Sequence, residues 1–197
     1  MKLRDTASVR SGLVLSRRQA RLGEGINYPL LTLRAIRAEG YIDTAELDNF
    51  HACEVLMPDY VSRCGDIVVR LTAPYTAVLI DQKTEGIVIS SNFLIIRADR
   101  EKILPEYLYW LLNTRKLKMS VYANSTGNML AAVKPGYFAE LTIYPVALAE
   151  QKKVAQINLL AQKEVRLLHE LAEEKKKYYS AAIDKMQKEV RNHDQSK

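Results

Sequence analysis

Arg10, Arg17, Arg18 and Arg21 crowd one short segment, interleaved with Ser8, Ser11 and Ser16. A guanidinium is a planar fork of donors that matches phosphate oxygens and the guanine edge, and a serine hydroxyl adds short-range polar contacts. An ordinary solvated basic face has the same composition, so both readings stand. A second group, Arg70, Thr72, Tyr75 and Thr76, offers a cation, two hydroxyls and an aromatic ring at one loop suited to entering a groove, or simply to joining two strands. A third is Ser125, Thr126 and Asn128 with Lys134 nearby. Asparagine can pair bidentately with adenine, and Gly127 between them permits close backbone approach.

Other chemistries lack their residues. No GxxxxGK[ST] run is present, and Gly23-Glu24-Gly25 lacks the third glycine of a dinucleotide fingerprint. His51, His169 and His193 are scattered, without HExxH or Cys/His metal spacing. The Asn-Pro-Pro-Tyr run that holds a flipped adenine in amino-methyltransferases is absent. Pro58-Asp59 and Glu173-Glu174-Lys175 have nuclease-like spelling, but such carboxylates must share one compact site, and the second run lies far along the tail.

The net charge of +6 is unevenly spread: residues 1–40 carry +5, residues 41–149 carry −2 and residues 150–197 carry +3. A localised basic start is expected where a protein meets phosphates. No stretch approaches the roughly 20 apolar residues of a membrane span, and no long apolar run follows Met-Lys-Leu-Arg-Asp, so neither membrane insertion nor a signal peptide is expected. Cys53 and Cys64 have no CxxC spacing and read as reduced core thiols of a cytoplasmic protein.

The elements that must hold these groups are short. Leu3–Leu15 reads as a strand or turn, Tyr28–Leu33 as a strand, and Gly65–Leu71 as a β-branched strand opened by a Gly-Asp turn. Ala77–Ile80, Gly86–Ser90 and Phe93–Arg97 follow, and Leu141–Pro145 is a last short strand. Pro105 opens a helix with Leu108, Leu111 and Leu112 on one face, broken at the polar loop from Asn124. From about Leu148 to Val190 there is no Gly or Pro, and a continuous helix there would span roughly 60 Å. Val154, Ala161, Leu168 and Ala182 share one heptad position, Ile157, Leu171 and Tyr178 a second, and Val165, Tyr179 and Met186 widen the stripe. A long helix with one apolar face needs a partner helix. The expected fold class is α+β: a bent mixed or antiparallel sheet with short helices over residues 1–147, a long coiled-coil helix over 148–192, and a frayed tail at 193–197.

The order of motifs resembles the specificity subunit of type I restriction–modification systems. Leu3–Gly12 is similar to that family's opening strand and Ser-Gly turn, and Gly65–Arg70 to its central "GDIL" strand. Ser91–Arg97 and Leu104–Leu112 resemble its late strand and helix, and Ser125–Asn128 stands at its polar loop, with the commoner Gly-Ser order reversed. Leu141–Pro145 followed by Glu150–Val154 resembles the junction that begins the spacer helix. A usual subunit carries two recognition domains and two spacer helices, and this chain has one of each.

The resemblance implies a non-catalytic chain that reads double-stranded DNA and docks modification methyltransferase subunits, with a restriction subunit as a further partner. S-adenosylmethionine would sit in the methyltransferase, leaving this chain without a cofactor. With one recognition domain, a homodimer reading a split inverted repeat is expected, because protein and site symmetry match. The competing reading is a coiled-coil adaptor that binds protein, which salt dependence separates from phosphate binding.

Overall fold

The computed structural model describes residues 1–21, 24–124 and 132–194, the last helix in its side chains as far as Glu189. The chain forms two compact units, Met1–Asn158 and Leu159–Lys197. The first is an α+β domain around a four-stranded antiparallel sheet in the order β1 (Ala7–Ser11), β6 (Phe93–Ala98), β4 (Ile67–Arg70), β5 (Ala77–Leu79). A separate ribbon pairs β2 (Ile26–Leu30) with β3 (Asp48–Ala52).

The central sheet is covered on both faces, which is why its strands read as unbroken apolar runs rather than as alternation. Side chains still alternate with the pleat. Ile67, Val69, Leu94 and Ile96 enter a core shared with Leu3, Leu108 and Phe138. Val68, Val78, Phe93 and Ile95 enter a second core with Leu31, Ile36, Ile80 and Ile89. A third, smaller core holds Leu13, Phe50, Ala52, Leu56 and Val88 and seats the ribbon.

Three short helices serve the first core: α1 (Pro105–Asn113), α2 (Arg115–Asn124) and α3 (Pro135–Glu140). The Pro105 helix ends at Thr114, ten residues before the expected break at Asn124, and a new helix starts at Arg115. Asn113 explains the fixed end: its side-chain amide donates to Ala77 O at 2.9 Å and accepts from Ala77 N at 3.2 Å, continuing the sheet beyond the edge strand β5.

Of Gly86–Ser90, residues 87–90 are buried while Gly86 lies in a turn at φ +82°, and the segment is not a ladder strand. Its backbone is shared among several partners: Val88 N donates to Pro29 O at 2.8 Å, Ile89 N to Tyr60 O at 2.9 Å, and Ile89 O accepts from Leu13 N at 2.8 Å. Gly12 fits against it only because it has no side chain, since a Cβ there would lie 2.2 Å from Ser90 O. Leu141–Pro145 likewise makes one isolated bridge, Thr142 to Lys2, rather than a strand. Cys53 and Cys64 are exposed free thiols, not core thiols, because each lies in a connection outside the sheet.

Helix α4 runs Leu148–Asp194. Its first turns belong to the first unit. Gln151 is 1% exposed; its Nε2 donates to Val146 O at 2.8 Å, and its Oε1 accepts from Leu104 N at 2.9 Å. Val154 packs on the first core, so it is not part of a free pairing stripe as its heptad position suggested. In the second unit Leu160, Leu168, Leu171, Tyr178 and Met186 are exposed. Arg166–Glu170 and Lys177–Glu174 pairs support the helix on its surface. Among the described residues, no helix is long and apolar enough to cross a membrane.

Candidate nucleic-acid interface

The basic segment does not stand alone; it forms a third rail of the β2–β3 ribbon. Ala20 N donates to His51 O at 2.9 Å, Cys53 N donates to Arg18 O at 2.9 Å, and Gln19 bridges Ala52. Gly25, at φ +107°, turns the chain into β2 where a Cβ would meet Ala52 O at 2.5 Å.

This placement sorts the arginines. Arg10, on β1, is paired with Asp59, and Arg18 is paired with Glu54. Arg17 and Arg21 are exposed with no carboxylate partner among the described residues, beside exposed Ser16. The two free cations are therefore the phosphate candidates, and the other two are engaged within the protein.

The loop after β4 differs from the expectation. Tyr75 is 3% exposed and Thr76 1%, so both are core residues and present nothing to a groove. Tyr75 reaches the core through a left-handed backbone, φ +55°, that the β4–β5 connection imposes. Arg70 and Thr72 remain half-buried. Burial pulls the Arg70 guanidinium below its ordinary pKa, and its Nε has no hydrogen-bond partner. Lys134 is exposed immediately before α3, and Ser125, Thr126 and Asn128 lie outside the described residues.

What sequence reasoning missed is the ribbon's second strand. Asp48-Asn49-Phe50-His51-Ala52 is poor in β-forming residues, and its only signal is the weak alternation of Phe50 and Ala52. Pairing with β2 and the third core make it a strand.

A separate cleft of about 500 Å³ opens between α1, α2, α3 and residues 141–144. Tyr107, Trp110, Leu117, Tyr137, Ile143 and Tyr144 line it, and Glu140 at its edge is paired with Arg4. Among the described residues that line it there is no histidine or cysteine. Among the described residues no group of three or more His, Cys, Asp or Glu could hold a metal ion.

No protein-family model and no curated protein matches the sequence. Solved structures do. A type I restriction–modification system structure, determined for its complex assembly and conformational transition, matches with TM-score 0.65 and 21% identity over 85% of this chain and 43% of that one. The HsdS subunit from Thermoanaerobacter tengcongensis matches with TM-score 0.64 and 20% identity over 87% of this chain and 43% of that one. The chain spans less than half the length of each. With its antiparallel sheets, short helices and long C-terminal helix, this chain thus has the fold of part of a type I restriction–modification specificity subunit.

Proposed function

We propose that this chain carries one recognition domain of a DNA-specificity subunit of a type I restriction–modification system. The first unit reads a short half-site on duplex DNA. Methyl transfer and cleavage belong to partner subunits, with S-adenosylmethionine held by the methyltransferase, and this chain supplies the address only, in the cytoplasm. One observation carries the reading: within the fold of such a subunit, two unpaired arginines, Arg17 and Arg21, stand on the rim of a β-ribbon. A pair of free guanidiniums beside a β-ribbon suits a polyanion with grooves.

The second unit supports pairing. Leu160 is 68% exposed, Leu168 59%, Leu171 53% and Tyr178 69%, an apolar surface that water alone does not satisfy over so many turns. A second copy of the helix covers it, and two copies place two identical readers on an inverted repeat with a fixed gap.

The test is enrichment of random duplex DNA on the purified protein at about 0.15 M salt, where long-range charge is largely screened. An inverted repeat with a fixed gap is the expected result. Retained DNA without a motif leaves phosphate binding only, and no retention favours a protein-binding adaptor.

A further inference from the structure

We infer that the outward face of the β2–β3 ribbon is the base-reading surface, with Asn27, Asn49 and His51 presented to the major groove of duplex DNA. This rests on the proposed DNA-reading function and names the side chains that would perform it.

The register places these residues together. Asn27 pairs with His51, and Pro29 with Asn49, on the side opposite the Tyr28–Phe50 and Ile26–Ala52 pairs. Phe50 and Ala52 are buried in the third core, whereas Asn27, Pro29, Asn49 and His51 are exposed. Directly opposed residues of an antiparallel pair have Cβ atoms about 5 Å apart, so the Asn27 amide and the His51 imidazole stand side by side. None of the three polar side chains has a hydrogen-bond partner among the described residues, so their full donor and acceptor capacity is available.

The face matches duplex DNA in shape, chemistry and charge. A ribbon of two strands fits the major groove, about 12 Å wide, and here residues 18–20 line the β3 edge as a third rail beside it. An asparagine amide pairs bidentately with adenine N6 and N7, and an imidazole N–H donates to guanine O6 or N7. The ribbon's single carboxylate, Asp48, is paired with Arg34, and neighbouring Glu54 with Arg18. Among the described residues, Glu24, before β2, is a nearby carboxylate without a partner, against the unpaired Arg17 and Arg21. The ribbon is also held rigidly at its base by the third core, which keeps the reading groups in place before binding.

The test repeats the random-duplex enrichment with the full chain and its Asn27→Ala, Asn49→Ala and His51→Ala variants. These side chains lie outside the cores, and unchanged thermal melting verifies that each variant is folded. The expected result is loss of about tenfold discrimination at one or two base positions per variant. Affinity for unselected duplex at low salt should stay within about twofold of wild type, since phosphate contacts dominate it. A wild-type motif that survives in all three variants overturns the ribbon assignment and leaves DNA reading intact. A uniform fall in affinity for every sequence also overturns it, because the residues would then be backbone contacts. No motif from the wild type overturns both.

Discussion

Arg97 on β6 grips Asp66 with two bonds, Nε to Oδ1 at 2.9 Å and Nη2 to Oδ2 at 3.1 Å. The same guanidinium donates to Asp59 at 3.1 Å and to the carbonyls of Pro58 and Val61 at 3.2 Å each. Burial alone would pull this guanidinium down; the hydrogen bond and charge of Asp66, joined by those of Asp59, raise it instead. Asp66 is 3% exposed, and its Oδ2 also accepts from Arg63 N at 3.0 Å. Arg97→Met should cost about 3 kcal/mol in urea unfolding, because it leaves a buried carboxylate unpaired. Arg97→Met with Asp66→Asn should cost less than the sum of the two single changes.

Gln151 ties the start of α4 to the loop before α1 through Leu104 N and Val146 O. Gln151→Leu keeps the bulk and strands the partly buried Leu104 N–H and Val146 carbonyl. A loss of about 2 kcal/mol is expected in the unfolding of the first unit, with the denaturant slope unchanged. An unchanged midpoint would mean that the helix start is held by Val154 and Ala155 alone.

Tyr109 is buried and donates to Gly40 O at 3.0 Å, and burial pushes its hydroxyl up to about 12. The unfolded hydroxyl titrates near 10, so its stabilising contribution is complete below about pH 10 and is lost as pH rises through 12. Tyr109→Phe should be less stable by about 1 kcal/mol at pH 7, where the hydrogen bond is missing. Between pH 10 and 12 the wild type should lose about 2 kcal/mol that the variant keeps, reversing their order in melting experiments.

Arg17→Ala with Arg21→Ala should weaken binding to every duplex sequence alike. It should also lower the slope of log affinity against log salt by about 2. Arg10→Ala or Arg18→Ala should change that slope less, since each side chain is already paired with a carboxylate.

Leu168→Glu with Leu171→Glu places two charges on the exposed stripe of α4, where both leucines are more than half exposed. The mass in solution should fall from dimer to monomer, measured by light scattering. The first unit should keep its thermal transition, because neither residue belongs to its cores.

The strongly apolar strands β4 and β6, the proline-started α1 and the Gly/Pro-free α4 were readable because each carries its own local signal. β3 was not, because pairing and the third core override a strand-poor composition. Gly86–Ser90 looked like a strand because residues 87–89 are buried and β-branched, but hydrophobicity reports burial, not which backbone groups are bonded. At the candidate site, composition found the arginine cluster yet could not say which members meet carboxylates, since Asp59 and Glu54 are distant in sequence. Tyr75 looked like a loop aromatic, and only its left-handed backbone turns it into the core.

The alternation of the β2–β3 ribbon divides its residues into two independent alphabets. Phe50 and Ala52 answer to the packing beneath them, while Asn27, Asn49 and His51 touch no core. Changes of the second kind carry little folding penalty, so under the proposed base-reading role the address could be rewritten residue by residue while the scaffold stays put. Variation confined to these positions would move a target without first rescuing a fold.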